Sequence, residues 1–269
     1  MVELKILDLE NNEKGKIKLP IQFDEDVRPD LIKRAVLTLI THKRQRYGAS
    51  PEAGKRSSGK ISKRRHNYRG CYGLGISRVP RKIFSRRGTR MNWHGAIVPG
   101  TVGGRRAHPP KAEKIFWVKI NTKERKKAIR SAAAATMNKE LVKIRGHKIN
   151  DSYPFIIDSS IENIDKTSKV KEILIKLGLK EELQRSEVKI IRAGKGKNRG
   201  RKYRKKKGPL IVVSKDCKLL KSSKNIPGID ICEVNNINSE MLAPGTVPGR
   251  VTLWSKGAIE RLDKEKLFV

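Results

Sequence analysis

Between Arg44 and Lys111 the chain carries 18 Lys and Arg residues and a single acid, Glu52. Glycines at 48, 54, 59, 70, 73, 75, 88, 95, 100, 103 and 104 interrupt it, so no hydrophobic period of 2 or 3.6 is sustained. Such a segment predicts no core of its own, and it is too long for an ordinary connection inside a compact domain. It is therefore either a functional extension or plain disorder, which composition alone would allow. Tyr47, Tyr68, Tyr72, Phe84 and Trp93 are interleaved with its cations, in a chain that is only 5% aromatic. Aromatics among arginines and glycines suit a segment that is mobile alone and orders on RNA, with bases or riboses against the rings.

The rest of the charge sharpens this reading. The 269 residues hold 63 Lys and Arg against 27 Asp and Glu, a net +36. Self-repulsion on that scale calls for a polyanionic partner. Nucleic acid comes first, because each neutralised phosphate releases counterions; an anionic membrane surface or a merely solvated basic face are the alternatives. A second run, Arg192–Lys207, has ten cations and no acid, and the 185 residues outside the two runs carry only +9. The long run also holds 13 of the 25 arginines but only 5 of the 38 lysines. Arginine offers a planar fork for phosphates and a face for bases, which solubility alone does not require.

Other chemistries lack their residues. Cys71, Cys217 and Cys232 form no CxxC pair, so neither a zinc site nor a disulfide framework is expected, and free thiols suit a reducing cytosol. The five histidines (42, 66, 94, 108 and 147) have no metal spacing. The segment from Arg192 lacks the Ser or Thr of a P-loop, and Gly73-Leu-Gly75 follows no predicted strand, so no cofactor is expected. A nuclease would need paired carboxylates, which the long run cannot supply; Asp8, Asp158, Asp216 and Asp230 sit near strand ends, where acids usually cap helices. No stretch approaches the roughly 20 apolar residues of a membrane span. The opening MVELKILDLE alternates and carries acids, unlike a signal peptide. The repeat of Pro99-Gly-Thr-Val-Gly-Gly-Arg105 as Pro244-Gly-Thr-Val-Pro-Gly-Arg250 reads either as two phosphate-binding turns or as recurring turn residues; the frequency of Pro-Gly at turns favours the second.

Outside the two basic runs the pattern is α/β. A strand over 2–9 places Val2, Leu4 and Ile6 on one face, and Gly15–Leu19 returns as a hairpin. Pro29 opens a helix with Leu31, Ile32, Ala35, Val36, Leu39 and Ile40 at helical spacing. Regular structure resumes at Ile115–Ile120, and Asn121 with Glu124 predicts a capping box. The next helix aligns Ile129, Ala133, Met137, Leu141 and Ile144 and ends at Gly146. Pro154–Ile157 is a short strand, and Val170, Ile173, Leu174 and Leu177 mark a helix closed by Gly178. Leu210–Val213, Ile229–Val234 and Arg250–Trp254 are strand candidates, with helical pieces near 218–224, 239–241 and 256–266. The alternation predicts a layered α/β domain with a mainly parallel sheet flanked by helices, formed by 1–43 and 112–269. An extended basic arm, 44–111, is inserted after the first long helix, and 192–207 forms a second basic loop.

An ordered series of motifs runs through nearly the whole chain. It comprises Thr41-His-Lys-Arg-Gln-Arg46, Arg64-Arg-His-Asn-Tyr-Arg-Gly70, Ala107-His-Pro-Pro-Lys111 and Arg125-Lys-Lys-Ala-Ile-Arg-Ser-Ala-Ala-Ala-Ala135. Arg192-Ala-Gly-Lys-Gly-Lys197, Leu242-Ala-Pro-Gly245 and Val251-Thr-Leu-Trp-Ser-Lys-Gly-Ala-Ile259 follow. Together they resemble the large-subunit ribosomal protein L-four family in its archaeal and eukaryotic form. The absence of a long lysine-rich C-terminal extension points to the archaeal branch. The resemblance implies a structural protein, not an enzyme and not a homo-oligomer, in the cytoplasmic large subunit. It implies an α/β domain on the outer face and an arm threaded through large-subunit rRNA. The arm's tip would help line the nascent-peptide exit tunnel beside the L-twenty-two protein.

By the family pattern the tip is Tyr68–Arg78, with Arg69, Gly70, Cys71, Tyr72, Gly73, Leu74, Gly75 and Arg78 toward the tunnel and the nascent polypeptide. Expected rRNA contacts in the arm are Arg44, Arg46, Lys55, Arg56, Lys60, Lys63, Arg64, Arg65, His66, Tyr68, Arg81, Lys82, Arg86, Arg87, Arg90, Trp93, Arg105 and Arg106. In the second run they are Arg192, Lys195, Lys197, Arg199, Arg201, Lys202, Tyr203 and Arg204. An RNA-processing enzyme and a general nucleic-acid condensing protein are the rival readings. They would differ in metal-dependent turnover on rRNA and in binding to duplex DNA.

Overall fold

Strand β1 (Glu3–Leu7) opens the chain in the computed structural model, which describes residues 3–269; Val2 of the expected strand lies outside them. Then follow β2 (Glu13–Lys18), helix α1 (Pro29–His42), β3 (Arg81–Arg87), β4 (Arg90–Gly95), α2 (Thr122–Met137), α3 (Lys139–Ile144) and β5 (Ile156–Ile157). Next come α4 (Thr167–Lys176), α5 (Lys180–Glu187), β6 (Lys189–Ile191), β7 (Tyr203–Lys205), β8 (Leu210–Val213) and α6 (Leu219–Ser222). Strand β9 (Asp230–Glu233), α7 (Ser239–Leu242), β10 (Thr252–Ser255) and α8 (Lys256–Lys264) complete the order. The chain divides into two units: the residues up to Lys43 with Val118–Val269, and Arg44–Trp117. The second unit extends past Lys111, where the charge run ends.

The first unit is built on a six-stranded sheet in the order β2-β1-β5-β10-β8-β9. All its pairings are parallel except the β1–β2 edge hairpin. This is the predicted α/β architecture. All four residues of β8 and of β10 are buried, as a parallel strand covered on both faces requires. Leu210 and Val212 join Trp254, Ile32 and Val36 of α1 and Ile129 of α2 in one cluster. Ile211 and Val213 point the other way, toward Val170 and Leu174 of α4 and Leu219 of α6. The period of two in the strands therefore divides the helices into two layers. Trp254 meets the edge of Phe23 at 5.1 Å between ring centres.

Four local expectations are corrected. Ile115–Ile120 has no regular structure. Asn121 begins α2 without a side-chain cap bond, because Glu124 is drawn instead to Arg34 at 2.8 Å. The single helix expected up to Gly146 breaks at Asn138, whose extended backbone (ψ 109°) stops α2 while its side chain accepts from the Glu140 and Leu141 amides to cap α3. The break resets the helical phase, so Val142 is buried and Ile144 is exposed. On α1, Ile40 is likewise exposed, while Ile32, Ala35 and Val36 are covered. Helix α5 has no counterpart in the sequence reading.

Candidate nucleic-acid interface

The Arg44–Trp117 unit is not the structureless arm its glycines suggest. Strands β3 and β4 pair antiparallel from Arg81↔Gly95 to Arg87↔Arg90, closed by the two-residue turn Gly88-Thr89. Gly88 sits at φ +56°, the conformation that a glycine-first hairpin turn needs. Lys60 bridges Arg81, and Ser62 bridges Gly70, so the segment before the hairpin folds onto its base. The Arg69 guanidinium lies 5.3 Å from the Tyr68 ring centre and 5.4 Å from that of Trp93, whose rings meet edge-on at 5.9 Å. Nearby in sequence, Arg78 covers Tyr72 at 5.0 Å, and Phe84 packs on His94 at 4.5 Å.

Among the expected rRNA contacts in this unit, Arg81, Lys82 and Trp93 are half-buried; all the others, from Arg44 to Arg106, are exposed. Within the expected tip, Cys71 is buried, Arg69, Gly70 and Tyr72 are half-buried, and Gly73, Leu74, Gly75 and Arg78 are exposed. Among the described residues, the only cation from 44 to 111 with a carboxylate within 4 Å is Arg56, which is 3.8 Å from Glu52. The α/β unit behaves differently. There Arg34 pairs with Glu124, Lys43 with Glu240, Arg130 with Glu25 and Arg250 with Asp230. Several cations of the α/β unit are thus paired with acids, whereas from 44 to 111 only Arg56 is, among the described residues.

The second basic run is a loop only in its middle. Strands β6 and β7 pair from Lys189↔Lys205 to Ile191↔Tyr203, and a short 3-10 turn, Lys195–Arg199, sits between them. All eight residues expected to contact rRNA here are exposed, and none of the cations from 192 to 206 has a carboxylate partner among the described residues. Val188, Ile190 and Ile191 are exposed beside them.

Two arginines, Arg250 buried and Arg185 half-buried, fix the C-terminal foot of this hairpin, and the sequence reading assigned neither that role. Arg185 of α5 donates to Lys207 O at 2.7 Å and grips both carboxylate oxygens of Glu182. Arg250 donates to Gly208 O at 2.8 Å, Met241 O at 2.8 Å and Asp230 at 2.7 Å. Because Arg250 is fully buried, the Pro-Gly-Thr-Val repeat is not a pair of matched phosphate turns. Burial alone would raise the Asp230 and Glu182 carboxyls; the arginines outweigh it and hold both below the ordinary carboxylate value. Burial pushes the His147 imidazole down, so it is neutral at pH 7 and its Nδ1–H donates to Glu182 at 2.6 Å. Arg145, half-buried near Arg250 and Arg185, is lowered to about 10, chiefly by desolvation. The only sequence signal for this network was the polar, acid-rich stretch 180–187 standing between apolar segments.

Catalytic alternatives find no support in side-chain geometry. Asp8 and Asp158 share Lys14 at 3.3 and 3.2 Å, and Asp230 is committed to Arg250 and Lys207. Among the described residues no group of His, Cys, Asp and Glu could hold a metal ion. Cys71, Cys217 and Cys232 are free thiols, and among the described residues no helix is long and apolar enough to cross a membrane.

The fold is an α/β body carrying an arginine-rich insertion that is almost without acids. Residues 17–265 match the model of the ribosomal protein L4/L1 family, and the chain belongs to that family. It is 50% identical to the large ribosomal subunit protein uL4 of Nanoarchaeum equitans, over 99% of this chain and all of that one. The uL4 proteins of Methanosphaera stadtmanae and Archaeoglobus fulgidus are each 43% identical over 97% of this chain, covering 96% and 98% of their own lengths. The resemblance read from the motifs is thus confirmed. The chain is a large-subunit ribosomal protein, a structural constituent of the cytoplasmic ribosome and not an enzyme.

Proposed function

We propose that this ribosomal protein holds large-subunit rRNA through two separate cationic elements and supports subunit assembly by doing so. The α/β unit is the anchor. The arm, residues 44–111, is the main contact, and the β6–β7 hairpin with its loop, 192–207, is the second. The observation that carries this reading is the unmatched charge: among the described residues, the exposed arginines of both elements, Arg56 apart, stand without carboxylate partners. Arg44, Arg46, Arg64, Arg65, Arg86, Arg87, Arg90, Arg105 and Arg106 bridge phosphates with their forks. Tyr68 and Trp93 fill gaps between RNA helices.

The arm's tip, Tyr68–Arg78, lines the nascent-peptide exit tunnel next to the L-twenty-two protein, with the growing polypeptide passing it. The exposure of Gly73, Leu74, Gly75 and Arg78 suits that position, and the Arg69 contacts with Tyr68 and Trp93 give the tip a fixed base.

Deleting Arg56–Arg106 tests the reading. The α/β unit remains folded by circular dichroism and cooperative unfolding, while tight rRNA binding is lost. A deletion variant that enters mature subunits at normal occupancy, with normal tunnel density, overturns it.

A further inference from the structure

The foot of the arm contains a built cavity of about 680 Å³. Two chain segments, 47–55 and 105–113, run past each other to form it. Their backbones touch at both ends: a Cβ on Gly48 would come within 2.2 Å of Ala112 N, and one on Gly54 within 2.4 Å of Arg105 N. Ala49 N donates to Pro110 O at 2.9 Å. Glycine is required at both touching points, so the two backbones are held at a fixed approach on either side of the space.

The lining has two chemical characters. Tyr47, Pro51, Pro109 and Pro110 give it flat, weakly hydrated walls. Tyr47 is itself held by stacking on Phe116, with ring centres 5.7 Å apart and planes 11° apart. Lys55, Arg105, Arg106 and Lys111 supply four cations, and Glu113 is the only acid of the lining. None of those four cations has a carboxylate within 4 Å among the described residues. The volume falls within the range of sites that enclose a small molecule, about 300–1,000 Å³.

A flat apolar slot rimmed by unmatched cations suits a ligand that carries a planar ring and a phosphate on one short frame. We infer that the cavity receives one unstacked nucleotide of the rRNA, its base against Tyr47 and the prolines and its flanking phosphates on Arg105, Arg106 and Lys55. An acidic peptide would satisfy the cations but gives no reason for the flat walls. The inference rests on the reading that the arm binds rRNA, and it names one place where the arm takes a base instead of the backbone alone.

Ultraviolet zero-length cross-linking of the full chain bound to large-subunit rRNA, followed by digestion and mass spectrometry, tests it without any substitution. A nucleotide adduct on Tyr47 or elsewhere in 47–55 is expected. Ala53→Trp, which adds an indole to the lining and crowds the cavity, is expected to weaken rRNA binding about tenfold, the scale of one lost base-stacking contact. Its salt dependence stays that of the wild type, because no phosphate contact is removed. Adducts elsewhere on the arm with none in 47–55, and wild-type affinity for Ala53→Trp, overturn the cavity assignment and leave the rRNA reading standing. Absence of adducts over the whole arm together with a flat salt dependence overturns the rRNA reading itself. Cross-linking of Lys55 or Lys111 to another ribosomal protein in assembled subunits, with no nucleotide adduct in 47–55, also overturns the inference.

Discussion

Arg250 Nη2 lies 2.7 Å from Asp230 Oδ2, and the same guanidinium reaches the carbonyls of Gly208, Pro209 and Met241. One buried cation thus ties the entrances of β8, β9 and β10 to α7 and to the returning end of the β6–β7 hairpin. Removing it takes a buried donor from the Gly208 and Met241 carbonyls and leaves Asp230 with Lys207 alone. Arg250→Ala is expected to lower stability by about 3 kcal/mol, the scale for breaking one side of a buried pair. Arg250→Lys keeps the charge without the fork and falls in between. Urea unfolding reads both as a lower midpoint at unchanged slope.

The network around His147 makes stability depend on pH. Its folded-state value is depressed by burial, so the unfolded chain binds the proton more readily. Stability is therefore full above the ordinary histidine value of about 6.5 and falls as pH drops below it. Glu182, also depressed, adds a further loss below the ordinary glutamate value of about 4.3. His147→Gln keeps a donor for Glu182 but does not titrate. It is expected to abolish the first decline and leave the second, as thermal melting across a pH series will show.

Gly228 stands at φ +81°, and a Cβ there would lie 2.4 Å from the Ser186 Cβ of α5. Backbone conformation and space both exclude a side chain. Gly228→Ala is expected to cost about 2 kcal/mol through strain and displaced packing. Hydrogen exchange should then show faster opening of α5 and β9, with α1 unchanged.

Salt dependence separates surface from buried arginines. Arg65→Ala or Arg199→Ala is expected to weaken rRNA binding and reduce the salt slope by about one unit for each lost phosphate contact. Arg250→Ala leaves the slope unaltered wherever the variant is folded, because its guanidinium is inaccessible. Titrations of rRNA binding at several salt concentrations distinguish the two outcomes.

Strand β8 was readable because a short run buried on both faces is favoured to be apolar throughout, as Leu210–Val213 is. Helices α1 and α4 were readable from one apolar stripe each. The β3–β4 hairpin was hidden for the opposite reason. Its residues are mostly exposed, its cations dominate both faces, and a register shift between Ile83 and Ser85 breaks the alternation. Helix α5 was hidden because Glu182 and Arg185 read as surface residues, whereas their pairing lets Glu182 lie fully buried. At the interface, composition was enough to identify the two basic elements. What it could not supply was the pairing of acids, which decides that Arg250 serves the fold and Arg105 remains available.

The helix before the insertion and the chain returning from it are joined at once. His42 Nε2 lies 3.1 Å from Val118 O, and Val118 N donates to Thr41 Oγ1 at 3.2 Å. With departure and return fixed at neighbouring points, doubling the length of an intervening flexible chain would cost only about 0.6 kcal/mol in closure entropy. Natural selection can therefore lengthen or trim the insertion at little cost, while the sheet that carries it keeps its own sequence constraints.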